Sequence, residues 1–186
     1  MSRQNANGIP TFFPVGTESV EEIPQRFLVD GILTLTHDGR WLFKKELIEH
    51  EGVRRFLLQQ LRRTEEGEYW VVNGPQRVFV ELEDSPYLIL QVTLDDDKRC
   101  LHARLNDGSQ ETLSPETLFL GEDLILYARV KVGEAGARPN ESHTARFDRN
   151  TLSYLMPFLV EVEDGGFGLE LGGEVLHLPV APDSAN

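Results

Sequence analysis

The chain has little of what would cross-link it, anchor it or charge it positively. Cys100 is its only cysteine, so no disulfide can form within it, and reducing surroundings are expected. No apolar run comes near the ~18 residues that a membrane-crossing helix requires. The most apolar stretches, 87–90 and 124–127, have only the length of strands. Met1 to Asn5 lack the apolar segment of a secretory leader, so none is expected. Basic residues are scarce: 18 Lys and Arg stand against 31 Asp and Glu, for a net charge of −13. A surface of that sign repels phosphate backbones and anionic lipid. The expectation is therefore a soluble cytoplasmic protein with neither a nucleic-acid nor a membrane partner.

What is present suffices for a core. Hydrophobic residues make up 40% of 186 positions, enough to fold as one domain or two small ones. Residues 1–26 read as an N-terminal arm in which Phe12 and Phe13 can dock. Residues 27–94 read as a first α+β half, 95–180 as a second, and 181–186 as a tail. The first half begins with a strand over 27–35 and a turn at His37-Asp38-Gly39. Trp41, Leu42 and Phe43 then read as the lead-in to a helix whose apolar face is Val53, Phe56, Leu57 and Leu61. Gly67 reads as its C-terminal stop. A hairpin over 69–82 and a strand over 87–94 follow. In the second half, strands are expected over 100–105 and 124–132. A mobile loop is expected from Gly133 to His143, then a helix capped by Asp148 and carrying Leu152, Leu155, Met156 and Leu159. A closing hairpin spans 167–178.

Shifting the chain by 98 residues lays the second half on the first. Leu57, Leu61, Glu65, Gly67 and Gly74 meet Leu155, Leu159, Glu163, Gly165 and Gly172 as identities. The shared unit is helix, acidic Gly turn, strand, Gly turn, strand. Gly67 and Gly165 are expected at equivalent helix ends. Pro157 falls where the first copy has Gln59, so the second helix either kinks or ends early.

No catalytic constellation can be assembled, and no cofactor or metal is implied. The five histidines show no i, i+4 pairing, and no phosphate-binding glycine loop or nucleophile elbow is present. Cys100 and His102 share a strand face without further ligands. Asp95-Asp96-Asp97 has the composition of a solvated turn. The basic stretch of Lys44, Lys45, Arg54, Arg55, Arg62 and Arg63 reads first as a solvated helix face. One segment stands out: in Glu81-Leu82-Glu83-Asp84-Ser85-Pro86-Tyr87 the proline enforces a bend that presents two carboxylates with an aromatic ring. It is either a capped turn or part of a ligand site.

Asp38-Gly39-Arg40-Trp41, Leu61-Arg62-Arg63, the run from Glu65 to Val72, Arg77-Val78 and the Glu81–Tyr87 segment together resemble the bacterial family catalogued as domain of unknown function 1285. The similarity is close over about 28–95. It continues loosely through Tyr127-Ala128-Arg129-Val130 and Ala145-Arg146-Phe147-Asp148-Arg149. The family usually has a G-S-P-I-like turn after its Trp, where this chain has Phe43-Lys44-Lys45-Glu46-Leu47-Ile48. The resemblance implies a duplicated α+β core and a C-terminal half loosely like a pleckstrin-homology barrel. It also implies a small-ligand site between the halves, with a nucleotide-type ligand and a role in signal transduction. It carries over no catalytic residue.

Three functions compete. The first is a ligand-binding or regulatory module using Trp41, Glu83, Asp84, Tyr87, Arg129 and Arg146, the aromatic and charged groups that would hold a nucleotide-type small molecule. The second is a protein-interaction module acting through exposed strands or the Phe12-Phe13 arm. The third is a metal-dependent hydrolase built on Glu83 and Asp84. Trp41 is also expected to pack against the Val53, Phe56 and Leu57 helix face.

Overall fold

The computed structural model describes residues 28–180, apart from 65–66, 75, 96, 98–99, 122–123, 132–141 and 163–164. The N-terminal arm with Phe12 and Phe13, the tail, and nearly all of the loop expected before His143 lie outside the described residues. The described residues are mostly β-sheet with two short α-helices, and the chain divides into two compact units. The division falls after Asp84 rather than after Leu94. The strand beginning at Tyr87 finds both its ladder partners in the second unit, which assigns it there.

The first unit contains β1 (Leu28–Leu35), β2 (Trp41–Phe43), β3 (Glu46–Leu47), α1 (Glu51–Gln59), β4 (Leu61–Arg63), β5 (Tyr69–Asn73) and β6 (Gln76–Leu82). They form one sheet of order β3-β2-β1-β6-β5-β4, with β1 and β6 parallel. Alternation along β1 buries Leu33 and Leu35 and leaves Ile32 half exposed. Trp41–Phe43 is a strand, not the start of a helix. Lys44 and Lys45 both have positive φ (50° and 71°), the geometry of a two-residue hairpin turn, and return the chain as β3.

α1 is shorter than its apolar periodicity implies. His50 caps its start through Val53 N, and the Arg62 guanidinium donates to the Gln59 carbonyl (2.9 Å) and the Leu61 carbonyl (2.7 Å) just past its end. Leu61 is therefore a buried strand residue. The expected inward face is reversed in part: Val53 and Phe56 are 42% and 41% exposed, and Leu58 is the buried residue of the helix. The basic residues here engage their own neighbours. Arg55 pairs with Glu51 at 3.1 Å, and Arg63 lies over the Tyr69 ring.

The second unit contains β7 (Tyr87–Leu94), β8 (Leu101–Leu105), β9 (Gln110–Leu113), β10 (Leu118–Leu120), β11 (Leu126–Val130), β12 (His143–Phe147), α2 (Arg149–Leu155), β13 (Leu159–Glu161), β14 (Phe167–Leu171) and β15 (Glu174–Leu178). A six-stranded sheet runs β10-β11-β12-β7-β8-β9, with β12 and β7 parallel. β13-β14-β15 form a second sheet, and Val180 bridges in parallel to Leu120. Ile89, Leu101, Leu118, Leu126, Ala128, Val130 and Ala145 make a closed core on one face of the larger sheet.

The helix over Asp148 ends early. Leu155 is its last α residue, and Met156–Phe158, which contains Pro157, forms a 3₁₀ turn. The proline lacks the N–H that another α turn would use, so Leu159 starts a strand and Met156 is exposed. Gly67 and Gly165 are not helix ends. Each occupies a β-hairpin turn with positive φ (92° and 80°), in β4–β5 and β13–β14.

Asp148 does cap α2: its Oδ1 accepts the Thr151 N–H at 2.7 Å. Asp148→Ala is expected to lower stability by about 1 kcal/mol, read as a shifted urea midpoint by far-UV circular dichroism. An unmoved midpoint would mean that the cap contributes nothing.

Candidate functional site

Trp41, Glu83 and Asp84 fall in the first unit, and Tyr87, Arg129 and Arg146 in the second. Trp41 is 0% exposed, so its ring belongs to the core and offers no face to a ligand. Glu83 Oε2 accepts the His37 backbone N–H and lies 3.2 Å from His37 Nδ1, an exposed arrangement that ties the bend to the β1–β2 turn. Asp84 is half-buried. Ser85 is buried, and its hydroxyl donates to the Tyr87 carbonyl at 3.0 Å. The Glu81–Tyr87 segment thus serves as a braced turn where the chain passes from one unit to the next.

The structure brings Arg129 and Arg146 to one face. On β11, Leu126, Ala128 and Val130 point into the core, which turns Tyr127 and Arg129 outward. Cross-strand register sets Phe119, Tyr127 and Arg146 in one row, with Arg129 beside Thr144 in the next. The Phe119 and Tyr127 rings stack with centroids 5.5 Å apart and planes 14° apart. The Arg129 guanidinium lies over the Phe119 ring at 5.9 Å and has no carboxylate partner among the described residues. Sequence reasoning missed Phe119, which lies on a three-residue strand, and Tyr127 was legible only through the alternation of 126–130, which places it on the face opposite the buried residues.

Tyr87 belongs to a different cluster on the core side. Its ring is 3% exposed and stands edge-on to His143 at 5.4 Å. Lys131 Nζ lies 5.1 Å from the ring centroid, 2.8 Å from Asp107 Oδ2, 3.1 Å from Ser109 Oγ and 3.9 Å from Glu111 Oε1. Ser109 in turn donates its hydroxyl (2.6 Å) and backbone N–H (2.9 Å) to Asp107 Oδ1. Burial pushes the Asp107 carboxyl up, but the hydrogen bonds from Lys131 and Ser109 and the lysine charge outweigh it. The net displacement is below the ordinary carboxylate value. These partners hold the ammonium, so the cluster reads as a lock on the ends of β9 and β11. No sequence motif announced it, because its members are 87, 107, 109, 111, 131 and 143.

Among the described residues no three His, Cys, Asp or Glu side chains stand close enough to hold a metal ion, and no helix is long and apolar enough to cross a membrane.

A family model described as "Protein of unknown function (DUF2946)" and catalogued as DUF2944 matches residues 17–152. No curated protein matches the chain. Among solved structures, a DUF1285 family protein from Silicibacter pomeroyi DSS-3 is 21% identical, with 78% of each chain covered and a TM-score of 0.58. A DUF1285 family protein from Shewanella baltica OS155 is 16% identical, with 69% of this chain and 92% of that chain covered and a TM-score of 0.54. At these identities the likeness concerns the fold.

Proposed function

The chain belongs to the family described as protein of unknown function (DUF2946) and has the fold of the DUF1285 proteins, and from that premise we propose that it is a small-ligand-binding regulatory module for a nucleotide-type anion. The observation that carries the reading is the outward face of β10, β11 and β12. There an arginine without an acidic partner among the described residues stands over a stacked aromatic pair, in a chain of net charge −13. Arg146 adds a second guanidinium beside Tyr127. A base can stack on Tyr127 or Phe119 while its phosphate meets the two guanidiniums.

Thermal-shift titration with a panel of nucleoside mono-, di- and triphosphates tests this. A ligand at 100 times its dissociation constant adds ~2.7 kcal/mol of stability. Arg129→Ala is expected to abolish the shift while leaving the unliganded melting temperature nearly unchanged, because Arg129 is exposed. A full shift in that variant, or none with any nucleotide in the wild type, removes this face as the site. The latter result favours the runner-up, a surface for a protein partner, which draws on the exposed Val53 and Phe56 of α1.

The same proposal includes an origin by duplication. Its support is a register that repeats at an offset of 98. Leu61 opposite Val71 and Arg63 opposite Tyr69 correspond to Leu159 opposite Leu169 and Glu161 opposite Phe167. Val71 opposite Val78 corresponds to Leu169 opposite Leu176. The turns agree as well: Gly67 N donates to Thr64 O and Gly165 N to Val162 O. Pleckstrin-homology likeness in the second unit is carried as part of this reading, on the six-stranded sheet and the helix that follows its last strand.

A further inference from the structure

The solvent side of β7, β8 and β9 carries a second arrangement, independent of the arginine face. Register places Gln91, Arg104 and Gln110 side by side in one row, and Thr93, His102 and Thr112 in the next. One row is amide, guanidinium, amide; the other is hydroxyl, imidazole, hydroxyl. All six are exposed and line a cavity of about 380 Å³ together with Ala103 and Glu111.

Among the described residues these side chains have few commitments. His102 Nδ1 lies 3.0 Å from Thr112 Oγ1, while the side chains of Gln91, Thr93, Arg104 and Gln110 bond nothing else. The one carboxylate of the lining, Glu111, already accepts the Lys131 backbone N–H at 2.9 Å. The outward face of an antiparallel sheet is ordinarily polar and solvated. This one differs in being concave, and in centring two rows of donors and acceptors on an arginine without an acid partner.

The lining also discriminates between ligand classes. No Phe, Tyr or Trp is present, so neither a nucleobase nor the apolar face of a neutral sugar has a ring to stack on. The guanidinium offers a fork of donors to an oxyanion. The amides and hydroxyls both donate and accept, which suits a ligand carrying several hydroxyl groups. We propose that this cavity binds a small hydroxyl-bearing oxyanion, of the sugar phosphate or sugar acid type. Arg104 holds the anionic group, and Gln91, Gln110, Thr93 and Thr112 hold the hydroxyls.

Isothermal titration with glucose 6-phosphate, gluconate, glucose and inorganic phosphate tests it. At least one of the two hydroxylated anions is expected to bind, and which one identifies the anionic group. The one that binds is expected to bind more tightly than inorganic phosphate, and neutral glucose more weakly still. Arg104→Ala and Arg104→Gln are expected to weaken the bound anion roughly ten- to hundred-fold, with melting of the free protein unchanged. Arg104→Lys, which keeps the charge but not the fork, is expected to fall between. Arg129→Ala is expected to leave this binding intact, which separates failure here from failure of the nucleotide reading. Undiminished binding in both neutral Arg104 variants, loss in Arg129→Ala, or no heat with either hydroxylated anion overturns the proposal.

Discussion

Trp41→Ala is expected to destabilise the first unit by ~3–5 kcal/mol, the range for emptying a large aromatic site in a core. Trp41 is 0% exposed at the start of β2, the partner of β1. Its indole N–H is buried without a hydrogen-bond partner among the described residues, and this sets a second expectation. Trp41→Phe removes that unsatisfied donor, which itself costs about 1–3 kcal/mol, and keeps most of the ring volume. It should therefore be much milder than the alanine variant. Both of the chain's tryptophans, Trp41 and Trp70, lie in the first unit, so tryptophan fluorescence during urea unfolding reports on that unit. Trp70, edge-on to Phe79 at 5.2 Å, remains as the reporter in the variants. An alanine variant with the wild-type midpoint would show that the ring is accessible and would return Trp41 to the ligand-binding set.

Asp107→Asn is expected to cost ~3–5 kcal/mol, because it leaves the Lys131 ammonium buried beside an amide that cannot neutralise it. The two side chains are 5% and 11% exposed. Replacing both, as Asp107→Leu with Lys131→Met, removes the charges together and is expected to be less damaging than the single change. The pH dependence has a definite sign. Asp107 is held below its ordinary value when folded, so its stabilising effect is present in full above the unfolded-state pKa of ~3.9. It is lost as the pH falls through the lower folded-state value. Urea midpoints by circular dichroism at a series of pH values should fall toward acid in the wild type and flatten in that window for Asp107→Asn. Parallel profiles for the two proteins would show that the carboxylate is not coupled to folding.

The elements legible in the sequence were those whose signals are local. Alternation at Leu33 and Leu35, the turn at Asp38-Gly39, the hairpin over 69–82 and the Asp148 cap each depend on residues a few positions apart, and each is present. The failures also have local causes. Three apolar residues at Trp41–Phe43 fit either a helix or a strand, and only the positive φ of Lys44 and Lys45 decides for the strand. Leu61 and Leu159 keep helical spacing with the residues before them, but an early cap and Pro157 place both in strands. The short strands β9, β10 and β12 carry too few residues for a period to register.

By itself the sequence determined the acidic surface, the absence of an intrachain disulfide, the family resemblance and the 98-residue spacing of its glycine turns, since all of these follow from residue identity and order. Tertiary structure alone decided which side chains meet. Tyr127 and Arg146 are neighbours because β11 and β12 pair in one particular register, and a slip of one residue would have turned Arg146 into the core. Asp107 and Lys131 form their pair although they lie far apart in the chain and β9 and β11 are not ladder neighbours. The two parallel pairings, β1 with β6 and β7 with β12, join residues far apart in the chain. Their contribution comes from closing a sheet over a shared core, a quantity that no window of sequence contains.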